Sequence, residues 1–247
     1  MGKMTLDRLV EQLTAVYGQE LVGIALYGSA ARGDEVARHS DLNVLVVVQH
    51  VTMDHLHREA PVARAWREAG NPPPLTLTRA EWMGSADIFP IEYADILAHH
   101  KVLAGALPLD GIDVELSDLR LQLEHEAMSV LLRLRHAIMA ADGDDKAILS
   151  LLEESVSAML VLLRAALRLS GESPAADSVD VCARFSVRSG RDASAVLRVV
   201  RHKRGVDRMS PRDAAGHIES YLHFAESLVV YLDAFSQTSQ TDGGFPA

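Results

Sequence analysis

The pattern of apolar residues changes near residue 112, and this change limits the fold more than any other feature of the sequence. Before it, short apolar runs alternate with helical spacings, whereas after it every patterned stretch has helical spacing. Alternating strands and helices indicate a sheet covered by helices, and consecutive helices indicate a bundle. We therefore predict an α+β chain: a mixed sheet flanked by helices over 1–112, an all-α helical bundle over 113–235 and a disordered polar tail over 236–247.

Start and stop signals divide the two halves into elements. A helix is predicted over 6–17 behind a Thr5 cap, and another over about 52–69. The strand candidates are Leu21–Tyr27, Leu42–Val48, Leu75–Thr78 and Ile88–Ile96. Further helices are predicted over 117–141, 144–170, 179–185, 192–203 and 210–235.

Composition and charge exclude several classes of protein. The chain has 34 acidic and 24 basic residues and a formal net charge of -10, which argues against a protein that coats duplex nucleic acid. A single cysteine, Cys182, excludes a disulfide framework and a cysteine-rich zinc site. Charged residues near the start occupy the place where a signal peptide needs an apolar run, so we expect a cytoplasmic protein without a membrane partner.

The residues that suggest chemistry lie between the first two strands. Gly28 and Ser29 follow the first strand, where small residues allow a phosphate to approach the backbone N–H groups of a helix start. Arg32 is close enough to contact the same phosphate, although a solvated helix position is the alternative. Asp41 and Asn43 open the second strand, whose period of two places both side chains on one side. Oxygen ligands beside a phosphate cradle suit Mg²⁺.

This stretch resembles a known enzyme family. The residues Leu-Tyr-Gly-Ser-Ala-Ala-Arg-Gly over 26–33, followed by Ser40-Asp41-Leu42-Asn43, are similar to the nucleotidyltransferase domain of the polymerase-β superfamily. The family pattern is Gly-Ser, a spacer, and then Asp-x-Asp or Asp-x-Glu on a strand. The order of elements is similar to that of small bacterial members, including aminoglycoside nucleotidyltransferases, which place such a domain before a helical bundle. The resemblance implies a nucleotidyltransferase-type sheet over 1–112.

The resemblance also implies an activity. The expected reaction is Mg²⁺-dependent transfer of a nucleoside monophosphate, with AMP from ATP as the expected case, to a hydroxyl of a small molecule, an aminoglycoside-like antibiotic or a protein. Gly28, Ser29 and Arg32 would hold the nucleotide, and Asp41 and Asn43 the metal. Nucleic acid is not the expected partner, and a homodimer is left open.

One position departs from the family pattern. Asn43 stands where the family has its second metal-binding carboxylate, and it keeps a carbonyl oxygen but lacks the negative charge. Fewer charges weaken the clamp on the metal and the triphosphate. The alternative interpretation is therefore a weakened or inactive member that acts as a nucleotide-binding, regulatory or antitoxin-like partner.

The family's third acidic residue usually comes from a later strand. Leu75–Thr78 contains no carboxylate, so the candidates are Glu92 and Asp95 in the fourth strand candidate. Residues three apart face opposite sides of an ideal strand, so at most one would face the site. We favour Glu92 as metal ligand or general base, with Asp95 as the alternative metal ligand.

Charge is unevenly distributed in the predicted bundle. Residues 113–180 carry 13 acidic and 6 basic side chains, whereas residues 184–208 carry 8 basic and 2 acidic ones. The acidic helices would suit a cationic acceptor, and the basic stretch a triphosphate or an RNA. Solvated helix faces explain both more simply, because aromatic residues that stack on bases are almost absent from 184–208.

Overall fold

The computed structural model describes residues 4–33 and 41–241, with side chains up to residue 235. The chain divides into two compact units, Met1–Glu115 and Leu116–Ala247. In the described residues, the first unit is a mixed four-stranded sheet with helices, and the second is built of helices alone. The predicted fold class, a mixed sheet with helices followed by an all-helical region, is confirmed.

The described residues of the N-terminal unit form five helices and four strands. The helices are α1 (Leu6–Tyr17), α2 (Ser29–Arg32), α3 (Met53–Glu68), α4 (Arg79–Gly84) and α5 (Pro90–Ala98), and a 3₁₀ turn, Gly18–Glu20, follows α1. The strands are β1 (Leu21–Tyr27), β2 (Asn43–Val48), β3 (Leu75–Thr78) and β4 (His100–Gly105). The sheet order is β3-β2-β1-β4, in which β1 is antiparallel to both neighbours and β2 is parallel to β3. The first three strands and helices α1 and α3 agree closely with the predicted ranges.

An apolar core lies on each face of the sheet. On one face, Ile24, Leu26 and alternate valines of β2 pack against α1 and α3. On the other face, Leu45 and Val47 of β2 pack against α4 and α5. Because successive strand residues point to opposite faces, the residues at the end of β1 and the start of β2 are also divided between the two faces.

The prediction of a strand over Ile88–Ile96 is wrong, because most of that stretch forms α5 and the fourth strand follows it. A short apolar run does not distinguish a buried helix from a strand. Pro90 occupies the first turn of α5, where its missing N–H costs nothing. The Tyr93 ring stacks on Trp82 of α4 at a centroid distance of 4.4 Å, and its hydroxyl donates to the Trp82 carbonyl at 2.8 Å. These contacts hold α5 as a helix against α4.

The C-terminal unit consists of long helices in its described residues. They are α6 (Leu116–Ala141), α7 (Asp145–Leu169), α8 (Ser178–Ser189), α9 (Ser194–Lys203) and α10 (Pro211–Thr241). Helix α7 is the most buried of them and contacts each of the others. Helix α10 extends beyond its predicted end at residue 235, and residues 242–247 of the predicted tail lie outside the described residues. Within the part of the chain that the structure describes, every helix is too short or too polar to cross a membrane.

Candidate functional site

A row of polar side chains crosses one end of the sheet. Tyr27, the last residue of β1, pairs with Asn43 of β2 on one side and with His100 of β4 on the other. Directly opposite residues on antiparallel strands share a face, which here is the face covered by α4 and α5. The His100 Nδ1 lies 2.7 Å from the Ile96 carbonyl oxygen of α5. These three side chains therefore lie at the end of β1 and the start of β2, where α5 contacts β4.

Gly28 connects this row to the predicted phosphate cradle. Its φ of +77° is a conformation that residues with a Cβ rarely adopt. A Cβ at Gly28 would also lie 3.0 Å from Nδ2 of Asn43. Only a glycine closes the turn this tightly, so Gly28 brings the start of α2 beside the start of β2.

Helix α2 supplies the backbone of the cradle. It is a single turn from Ser29 to Arg32 and ends at Gly33, whose φ is +71°. Ala30 and Ala31 pack against the core on the α1 and α3 face, which anchors the turn. The first N–H groups of a helix have no partner within the helix. Among the described residues, the N–H of Arg32 donates to the Gly28 carbonyl oxygen at 3.3 Å.

Arg32 and Asp95 form a nearly buried ion pair. Nη1 of Arg32 lies 2.5 Å from Oδ2 of Asp95, and the two side chains are 4% and 17% exposed. Among the described residues, Nε of Arg32 has no hydrogen-bond partner. The pair joins α2 to α5 and offsets the charge of the Asp95 carboxylate, so a metal ion at Asp95 would compete with the guanidinium.

Glu92 and Asp95 do not stand as the sequence predicts. Because they lie on a helix, three residues separate them by only about 60°, and they share a face instead of opposing one another. Burial, and after it the negative charges of Glu92 and then Asp95, raise the pKa of the Tyr27 hydroxyl. Both carboxylates are therefore within electrostatic reach of Tyr27.

Asp41 lies two residues before the first residue of β2, and its side chain is exposed. Leu42 packs into the core on the α1 and α3 face, and its N–H donates to Oδ1 of Asn71 at 2.9 Å. Asn43, the first residue of β2, faces the other side of the sheet with Leu45 and Val47, and Asp41 precedes it by two residues. Ser40, the predicted turn residue before them, lies outside the described residues.

The donor set suits one magnesium ion better than two. The structure brings no three His, Cys, Asp or Glu side chains of the described residues close enough to hold a metal, and β3 carries only leucine and threonine. Mg²⁺ usually takes one or two protein carboxylates and completes its shell with water and substrate phosphates. The Asp41 carboxylate and the Asn43 amide oxygen are the donors here that could hold such a single ion.

The sequence did not point to three residues that shape this site: Tyr27, His100 and Asn71. The sequence signal for Tyr27 was its position: it is a polar aromatic residue at the end of an apolar strand, directly before Gly28. His100 depends on the register of β4, whose position the sequence prediction missed. Asn71 acts through a hydrogen bond across 29 residues, which no local pattern indicates.

No family model matches this chain, and no curated protein is similar to it.

Proposed function

We propose that the N-terminal unit binds a nucleoside triphosphate, with ATP as the expected case, and transfers its nucleoside monophosphate to a hydroxyl acceptor with the help of Mg²⁺. The observation that carries this proposal is the closeness of Gly28 to the Asn43 amide. This closeness places the turn after β1, which suits phosphates, beside the start of β2, which suits a cation.

The turn after β1 would hold the phosphates. The backbone N–H groups at the start of α2 and the Ser29 hydroxyl are neutral donors, which bind an anion without burying a second charge. The Arg32 guanidinium beside this turn is nearly buried, and its charge is paired with that of Asp95. Because this cradle is nearly neutral, binding a highly charged triphosphate there requires a cation.

Asp41 and Asn43 would hold that cation, and Glu92 would act on the acceptor. Mg²⁺ bound with the triphosphate would neutralise phosphate charge and polarise the phosphoryl group that is attacked. Glu92 is exposed on α5 and lies on the same face as Asp95, so its carboxylate can take a proton from an acceptor hydroxyl that enters from solvent.

The second candidate function is nucleotide binding without transfer, as a regulatory or antitoxin-like partner. The Arg32–Asp95 ion pair favours it, because it occupies a carboxylate that a second metal ion would need. The neutral Asn43 and the absence of a carboxylate from β3 point in the same direction.

Pyrophosphate release separates the two functions. Each of the four nucleoside triphosphates is incubated with the full chain and Mg²⁺, with and without a panel of aminoglycosides as acceptors. A transferase releases pyrophosphate in an Mg²⁺-dependent reaction that Asp41→Asn abolishes. The matched control is Asp54→Asn, an exposed aspartate on α3 whose side chain is 76% exposed. Calorimetric binding without release supports the second function, and the absence of binding by any triphosphate contradicts both.

A further inference from the structure

Helix α6 carries an exposed apolar stripe. Leu121, Met128, Leu132 and Met139 are 63%, 43%, 44% and 68% exposed. Steps of seven and four residues turn a helix by about -20° and +40°, so all four side chains lie within about 20° of one line. The stripe is about 27 Å long, because a helix rises about 1.5 Å per residue. A stripe of this kind is typical of a seam between two helices.

The stripe is not the face that α6 uses in the bundle. The buried face is formed by other side chains, namely Leu119, Leu123, Ala127, Val130, Leu131 and Leu134. This buried face accounts for the contacts of α6 with α7 and α10. Helix α6 therefore has a second apolar face that the bundle leaves exposed.

The stripe is symmetric about residue 130. Its spacings of seven, four and seven residues are the same in both chain directions. If two copies of α6 lie antiparallel about a two-fold axis at the level of residue 130, Leu121 faces the partner's Met139 and Met128 faces the partner's Leu132. A surface of this symmetry is self-complementary, as a two-fold interface requires.

The charges beside the stripe have the same symmetry. Glu124 and Arg135 lie on one side of it, about 60° and 40° from its line. They are six and five residues from the level of residue 130, so the antiparallel arrangement places Glu124 beside the partner's Arg135, twice in each dimer. Within the chain, Arg120 contacts Glu124 at 2.6 Å and Arg135 contacts Glu226 at 2.8 Å. A carboxylate and a guanidinium each have further sites for a second partner.

We propose that the α6 stripe is the interface for a second copy of this chain, joined in an antiparallel two-fold dimer. One pair of helices buries less than the standard interface of about 1,600 Å². The dimer therefore dissociates on dilution in the micromolar range. This inference does not depend on nucleotide binding, since the stripe lies in the C-terminal unit.

Sedimentation equilibrium of the full chain over a range of concentrations tests the interface. The wild type is expected to show a monomer–dimer equilibrium. Leu132→Glu places two like charges near the two-fold axis and is expected to weaken dimerisation by about 100-fold. The matched control is Val187→Glu, at an 87% exposed position on α8, which should dimerise like the wild type. Circular dichroism checks that each variant is folded. A monomeric wild type, or a Leu132→Glu variant that dimerises normally, overturns the proposal.

Disulfide cross-linking tests the orientation. Chains with Leu121→Cys and differently tagged chains with Met139→Cys are mixed and oxidised. The antiparallel dimer predicts cross-links between the two kinds of chain, because residues 121 and 139 meet. The buried Cys182 remains in place, and the wild type is the control for its background. Cross-links only between chains of the same kind, or none above background, contradict the antiparallel arrangement.

Discussion

Arg32 and Asp95 are 63 residues apart in the sequence, and their side chains form an ion pair of 2.5 Å. The pair fastens α5 to the turn that follows β1. A mostly buried pair is screened only weakly by solvent ions, so its loss affects both the stability of the unit and the shape of the turn.

Asp95→Ala is expected to destabilise the protein, because it leaves the Arg32 charge buried without its partner. The expected decrease in the free energy of unfolding is about 3 kcal/mol. The combination of Arg32→Met with Asp95→Leu should cost less than Asp95→Ala alone, since no buried charge remains. Urea unfolding measures both. Glu219→Ala, at an 83% exposed side chain, is the control and should change stability by less than about 0.5 kcal/mol. Equal stability of Asp95→Ala and wild type would show that the Arg32–Asp95 ion pair does not stabilise the folded protein.

Comparison of Gly28→Ala with Gly33→Ala distinguishes the effect of backbone strain from the effect of a Cβ that contacts the site. Both glycines have similar positive φ, +77° and +71°, so each substitution strains the backbone by about 1 kcal/mol or more. Only the Cβ at Gly28 meets Asn43, whereas at Gly33 no atom of the described residues lies within 4 Å of the added Cβ. We expect Gly28→Ala to abolish triphosphate binding and Gly33→Ala to keep most of it. Calorimetry would contradict this if both variants bound equally well.

Asn43→Asp restores a negative charge at the start of β2. The substitution changes little in volume, and the added charge is expected to tighten Mg²⁺ binding. If the protein is a weakened transferase, pyrophosphate release should increase when Mg²⁺ is limiting. If it only binds nucleotide, the metal affinity rises and the release remains at background. A wild type that releases pyrophosphate faster than Asn43→Asp at every Mg²⁺ concentration would exclude this explanation of Asn43.

The stability of the N-terminal unit should fall at alkaline pH. Burial raises the pKa of the Tyr93 hydroxyl from 10.0 to about 12. Because the folded state holds this proton more tightly than the unfolded state, the contribution is fully present below pH 10 and is lost as pH rises toward 12. Tyr93→Phe removes this dependence, and it also removes the hydrogen bond to Trp82, which costs about 1 kcal/mol at neutral pH. Urea unfolding between pH 8 and about 11 checks this. An equal decline in the wild type and Tyr93→Phe would exclude Tyr93 as a source.

Local signals were sufficient for some elements and insufficient for others. Strand β1 was predictable because an apolar run lies between two glycines, Gly18 and Gly28, and β3 because it follows three prolines. Helix α5 could not be predicted from its local sequence, because its apolar run is as short as that of a strand. Its identity depends on the Tyr93–Trp82 stacking, which is a tertiary contact.

The candidate site likewise contains one relationship that the sequence could predict and one that it could not. The positions of Gly28 and Asn43 follow from two adjacent strands and the turn after the first, so their closeness was predictable. The pairing of Asp95 with Arg32 was not, because it depends on how α5 packs against the sheet. The assignment of Glu92 and Asp95 to opposite sides was wrong because this stretch is a helix, on which residues three apart share a face.

The most direct test of the proposed site is a calorimetric titration of the full chain with a nucleoside triphosphate, in Mg²⁺ and again in excess EDTA. We predict binding in Mg²⁺ and little binding in EDTA, because the cradle is nearly neutral. Ser29→Ala should weaken binding by about 1 kcal/mol, as expected for one lost hydrogen bond. Asp41→Asn should weaken it further, and Asp54→Asn should leave it unchanged. Equal affinity in Mg²⁺ and in EDTA, or no binding of any triphosphate, would contradict the proposed site.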